Sequence, residues 1–158
     1  MKTTIIERTI QLSKKGMREL KRSIAQLERD KNKALQSLRE LDKIFKHDER
    51  MEHIEKLAQL ETIEAELDEK QSTLAAAKLL PSRRTRLQVA IGSVVDLIDK
   101  YGHMFRYTIV DSVEADPSAG RISTVSPLGQ SLLGRAVKDI IKLSTGTKVN
   151  HFQLVRIL

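Results

Sequence analysis

The residues best suited to chemistry in this chain crowd into one short segment. Between Leu41 and Ile54 the carboxylates of Asp42, Asp48, Glu49 and Glu52 are set among Phe45, Lys46, His47 and Arg50. Carboxylates are hard oxygen ligands that suit a divalent cation such as Mg2+. Lys43, Lys46 and Arg50 oppose that use, because fixed positive charge beside the site competes with the ion. Taken alone, an acidic run on a helix is most often a solvated face. Phe45 reads either as a core residue closing a helical seam or as an exposed aromatic that wedges against a partner.

Little else in the sequence has catalytic spacing. His47 and His53 are six apart rather than the i, i+4 of a helical metal pair, and His103 and His151 stand in isolated turn or strand contexts, so no intrinsic metal site is expected. The absence of cysteine excludes disulfides, thiolate metal sites and a cysteine nucleophile, which suits a reducing cytoplasm. Ser82 and the other serines lack a nucleophile-elbow pattern, and no glycine-rich phosphate loop occurs. Aromatics make up only 3% of the chain, too few for base-stacking platforms, so nucleic acid is not expected as a direct ligand. A net charge of +7 still favours acidic partners, and the excess is uneven: residues 81–158 hold 11 Lys+Arg against 6 Asp+Glu. Glu7 and Arg8 interrupt the N-terminus before any signal-length apolar run, and no stretch nears the ~18 apolar residues of a membrane span. The expectation is a soluble cytoplasmic protein with no membrane partner.

Two long helices must position the acidic segment. Met17, Leu20, Ile24, Leu27, Lys31, Ala34, Leu38, Leu41 and Phe45 step by three and four, the spacing of a coiled-coil seam. Ser13 is the expected N-cap. Lys31 in that stripe either snorkels or fixes register. Residues 12–47 are basic, whereas residues 48–69 carry nine acids against Arg50 and Lys56, so the second helix pairs with the first as an antiparallel hairpin flanked by salt bridges. Met51, Ile54, Leu57, Leu60, Ile63, Leu67 and Leu74 give it a looser stripe, and Pro81 is expected to end it. An intramolecular hairpin predicts a monomer, against the alternative of a scaffold that dimerises through its helices. Beyond a basic connector with Arg83, Arg84 and Arg86, strands are expected at Val94–Ile98, Phe105–Val110, Arg121–Val125, Asp139–Leu143 and Val149–Leu158, with turns at Tyr101-Gly102, Asp116-Pro117 and Thr145-Gly146. Helical spacing over Ser126–Gly134, with Pro127 at the first helical position, adds one short helix. A long projecting arm mounted on a small α+β body, with an antiparallel sheet, is the simplest solution.

Three stretches carry a resemblance to a known family. Leu12-Ser13-Lys14-Lys15-Gly16-Met17-Arg18-Glu19-Leu20 is similar to an L-[TS]-x-x-G-x-x-x-L helix start. Ile91-Gly92-Ser93-Val94-Val95 resembles a G-[AS]-x-V strand start. Ile122 to Gly134, with the later Asp139, resembles I-S-x-x-S-P-[ILM]-x-x-x-L-[IL]-G followed by an acid. These are the marks of the bacterial Gre-type transcription factors, which bind RNA polymerase, and the likeness includes that family's non-cleaving homologues.

The resemblance implies an antiparallel coiled-coil hairpin over residues 1–80, a linker at 81–86, and an immunophilin (FKBP)-like antiparallel β-sheet domain with one short helix at 87–158. It further implies that the β-sheet domain docks on bacterial RNA polymerase through Ser126, Pro127, Leu132 and Leu133, and that the hairpin enters the secondary channel. Nucleic acid is then met only indirectly, within the transcription complex. Cleavage-stimulating members carry G-D-x-x-E-N at the hairpin tip, whose acids help the polymerase hold a second Mg2+, a chemistry consistent with two-metal phosphodiester hydrolysis. This chain lacks that motif. Glu49-x-x-Glu52-His53 has its spacing and charge but not its register. The resemblance therefore implies a factor without catalysis of its own that modulates or inhibits the polymerase through its tip, at Asp42, Asp48, Glu49 and Glu52 with Phe45, Lys46, His47 and Arg50. The alternative is a stimulator of transcript cleavage in which Asp48, Glu49 and Glu52 share the polymerase Mg2+. A working prolyl isomerase is a weaker reading, since Phe105, Tyr107 and Phe152 supply few aromatic walls.

Overall fold

A computed structural model describes residues 9–43, 50–81 and 86–158. Phe45, Lys46, His47, Asp48 and Glu49 lie outside the described residues, as do Arg83 and Arg84 of the connector. The chain divides into two compact units. One is Lys15–Ala77; the other is Lys78–Leu158 together with a short stretch ahead of the first helix.

The first unit holds α1 (Lys14–Lys43) and α2 (Arg50–Ala76). Lys31 Nζ lies 2.9 Å from Glu64 Oε1, and His53 Nε2 lies 3.1 Å from Asp42 Oδ1. Moving eleven residues along α1, from Lys31 to Asp42, moves the partner eleven residues back along α2, from Glu64 to His53. The helices therefore run antiparallel. On α1 the expected seam is the covered face: Leu20, Ile24, Ala34 and Leu38 are buried, and Met17, Leu27, Lys31 and Leu41 are half-buried.

On α2 the covered face differs from the apolar stripe. The seam positions are His53, Lys56, Leu60, Ile63, Leu67, Lys70 and Leu74, all buried or half-buried and stepping by three and four. Met51, Ile54 and Leu57 are instead 68%, 57% and 41% exposed. Repeated steps of three turn backward around a helix of 3.6 residues per turn, by about 60° each. An apolar run spaced 51, 54, 57, 60 therefore drifts off the seam, whereas alternating steps of three and four hold it. Leu60 and Ile63 belong to both patterns, but toward its start α2 offers the seam a histidine and a lysine.

α2 also stops at Ala76, before Pro81. The chain there becomes strand β2 (Ala77–Leu79), which pairs with β1 (Ile10–Leu12) in a two-stranded sheet extended by Leu80 N–H donating to Leu12 O at 2.9 Å. Leu12 is fully buried. Sheet pairing thus ends the helix a turn ahead of the proline.

The second unit is built on β3 (Val94–Asp99), β4 (Met104–Val110), β5 (Arg121–Ser123), β6 (Ile140–Thr145) and β7 (Lys148–Ile157), in the order β5-β4-β3-β7-β6. The central pairs are antiparallel, as expected. β5 is the exception, running parallel to β4 with Ile109 opposite Ile122. A parallel neighbour requires a crossover rather than a hairpin, and two short 3-10 turns, Ser112–Glu114 and Pro117–Ala119, supply it.

Strand alternation gives the sheet two unlike faces. Val95, Leu97, Ile109, Ile122, Ile141, Leu154 and Ile157 point to one side and form the core, closed by Val89 and by Leu132 of α3 (Pro127–Leu132). Asp96, between Val95 and Leu97, points to the other side.

Candidate docking site

In the β-domain the segment Ser123–Val137 turns from β5 into α3 through a tight hydrogen-bonded corner. Ser126 Oγ donates to Ser123 O at 2.7 Å and accepts from Gly129 N–H at 3.0 Å, so a single hydroxyl closes the corner and caps α3. Pro127 follows at the first helical position, where its missing N–H costs nothing. Gly129 fits because a Cβ there would come within 2.0 Å of Ser123 O. Leu132 is sealed in the core. Ser126 and Leu132 thus build the corner, while Pro127 and Leu133 present surface, with Val125 and Val137 also exposed.

At the other candidate region the described residues are Asp42, Arg50 and Glu52. Asp42 is exposed and engaged by His53; Arg50 and Glu52 are exposed in the first turn of α2. Among the described residues no group of three or more His, Asp or Glu side chains is placed to hold a metal ion. The three aromatic residues named for an isomerase pocket do come together on the core face of the sheet: Phe105 stacks parallel to Tyr107 with ring centres 6.3 Å apart, and meets Phe152 edge-on at 6.0 Å.

Sequence reasoning missed one ionic cluster. Asp96 is 1% exposed on the central strand, and the register sets Arg106 opposite it on β4 and Arg156 opposite it on β7. Arg106 donates from Nε to Oδ1 at 2.7 Å and from Nη2 to Oδ2 at 3.0 Å; Arg156 donates from Nε and Nη2 to Oδ2 at 3.2 and 3.0 Å. The hydrogen bonds from Arg106, opposed by burial and reinforced by Arg156, hold the Asp96 carboxyl at about 2, below its ordinary 3.8. Asp96 in turn raises Arg106. The available signal was an acid at one alternating position of an apolar strand with arginines on two other strands. Their pairing depends on register, and on a bulge between Asp96 and Leu97 opposite β7, which the sequence does not announce.

A second carboxylate engages Ser13, within the second unit. Glu114, in the crossover, accepts from Ser13 N–H at 2.8 Å and from Ser13 Oγ at 2.6 Å.

Residues 84–158 match the family described as the C-terminal domain of the transcription elongation factors GreA/GreB. Residues 84–158 thus carry a Gre-type C-terminal domain. Gre-type relatives include the transcription elongation factor GreA of Clostridioides difficile, 43% identical over 70 residues that are 44% of each chain. GreA of Thermoanaerobacter pseudethanolicus is 34% identical over 97 residues, covering 60% of this chain and 62% of that protein. The aligned part thus spans about half the length of the curated relatives it matches. Among solved structures, GreA factor homolog 1 (Gfh1) of Thermus thermophilus aligns over 96% of this chain and 99% of its own, at 27% identity and a TM-score of 0.46. No helix among the described residues is long and apolar enough to cross a membrane.

Proposed function

We propose that this chain is a cytoplasmic, monomeric factor that binds bacterial RNA polymerase. Its β-domain docks through the α3 corner, and its helical hairpin enters the secondary channel to modulate or inhibit the enzyme from the tip. The observation that carries the modulating reading is the tip sequence. Leu41 to Ile54 lacks the G-D-x-x-E-N of cleavage-stimulating relatives and places Lys43, Lys46 and Arg50 among its acids. Within the described part of that region, the Asp42 carboxylate is occupied by His53, and Arg50 stands two residues from Glu52 in the first turn of α2. Such surroundings favour contact with polar groups of the polymerase over capture of a divalent ion.

The chain performs no catalysis in this reading, and any transcript cleavage belongs to the polymerase active site. The Glu49-x-x-Glu52 spacing supports the second reading, in which Asp48, Glu49 and Glu52 help the polymerase hold its Mg2+. RNA cleavage in purified backtracked elongation complexes separates the two. The modulating reading predicts no stimulated cleavage and slowed nucleotide addition; cleavage abolished by the Asp48→Ala, Glu49→Ala, Glu52→Ala triple variant would establish the other.

A further inference from the structure

We infer that the sheet face carrying Arg106 and Arg156 is a second docking surface, for a carboxylate-bearing, aliphatic protein segment of the polymerase. The inference rests on the polymerase reading for the identity of that partner. This face lies on the opposite side of the sheet from the core and α3, so it is separate from the α3 corner.

The arginine pair is a built feature. A buried carboxylate anchors both guanidiniums through their Nε and Nη2 atoms. Each guanidinium has five N–H donors. The anchor therefore leaves the Nη1 pair and the second Nη2 hydrogen of each arginine turned away from Asp96, on side chains that are 58% exposed. Anchoring removes much of the rotamer freedom an arginine ordinarily loses on binding, so the free edges are preorganised. A guanidinium edge matches a carboxylate with two parallel hydrogen bonds.

Three observations favour a protein partner over a nucleic acid. Asp96 cancels one of the two arginine charges, leaving local charge small for a polyanion. Among the described residues the strands place no Phe, Tyr or Trp ring on this face for a base to stack on, since Phe105, Tyr107 and Phe152 all point to the core side. Around the arginines stand exposed aliphatic side chains instead: Met104 on β4, Ile140 on β6 and Val155 on β7. Arginine and methionine beside aliphatic surface is the composition of protein interfaces. Lys142 on the edge strand β6, opposite His151 of β7, extends the positive edge.

The test measures binding of the full chain to nucleic-acid-free bacterial core polymerase and, separately, to short single-stranded RNA. Arg106→Gln and Arg156→Gln each leave Asp96 paired with the remaining arginine, and exposed Lys142→Glu lies outside that cluster should either arginine variant fold poorly. Each of the three is expected to weaken polymerase binding by about tenfold, the scale of an interface hot spot, with an unchanged helical CD spectrum. Polymerase binding that stays within about twofold of wild type in every folded variant overturns this inference alone; the threshold is small beside a hot-spot loss. Loss confined to the RNA arm overturns the choice of a protein partner. A wild-type chain that binds no polymerase overturns the polymerase reading and this inference with it.

Discussion

The phase of α2 sets which of its side chains hold the hairpin, and a matched pair of truncations tests it. Leu67 and Ile54 are both large aliphatic residues on the same helix. Leu67 is 8% exposed in the seam, whereas Ile54 is 57% exposed outside it. Leu67→Ala removes three buried carbons, worth roughly 0.8 kcal/mol each in transfer alone, so the expected loss is about 2 to 3 kcal/mol with the cavity term at its low end. Ile54→Ala removes carbons already in water and replaces a β-branched residue with the best helix former. Its effect should lie within about 0.5 kcal/mol of zero. Urea unfolding followed by helical CD reads both, with amide exchange on α1 and α2 reporting the hairpin separately from the β-domain. Equal losses, or a greater loss for Ile54→Ala, would refute the seam of His53, Lys56, Leu60, Ile63, Leu67, Lys70 and Leu74.

Further predictions follow from the same geometry. Lys56→Leu puts an apolar side chain at a half-buried seam position and should raise the hairpin's stability by about 1 kcal/mol, read in the same urea titration. Gly129→Ala drives a Cβ into the carbonyl of Ser123 and should cost the β-domain about 1 to 3 kcal/mol, the range of overpacking. Ser126→Ala removes both the α3 cap and the bond to Ser123 O, for a loss of about 1 kcal/mol by thermal unfolding. Because Asp96 is held at about 2 in the folded state against an ordinary 3.8, the unfolded chain binds more protons between those values. Its contribution to stability is therefore complete above about pH 4 and is lost as pH falls toward about 2. Asp96→Asn should flatten that part of the acid titration, and an unaltered slope would count against the cluster.

Much of this architecture was legible because burial follows simple periods. The α1 heptad is nearly all apolar, so spacing alone located its covered face from Met17 to Leu41. Strands β3, β4, β6 and β7 alternate or run apolar between turn residues, and each lies within about two residues of its expected place, the usual scatter of element ends. Ser126-Pro127 announced α3 through cap chemistry that is local in sequence. What stayed hidden depended on partners distant in the chain. The seam of α2 takes His53, Lys56 and Lys70, whose long or amphipathic side chains cover apolar surface while their polar ends reach water, and a hydropathy pattern cannot assign them inward. β2 replaced the last turn of α2 because β1 was there to pair with it. β5 joined in parallel through a crossover that sequence spacing leaves open. Asp96, Arg106 and Arg156 come from three strands and meet only once the register is fixed. In the candidate site, Ser126 and Leu132 were legible because the corner they build joins residues close in sequence.

We propose that the hairpin end carrying Arg50 reaches the interior of RNA polymerase. It is tested most directly by placing a photo-crosslinking side chain at position 50 of the full chain and irradiating its complex with a stalled elongation complex. Crosslinks to the walls of the secondary channel or to the 3′ end of the transcript are the predicted result. Crosslinks confined to the outer surface of the polymerase, from a chain that still binds through its β-domain, would contradict it.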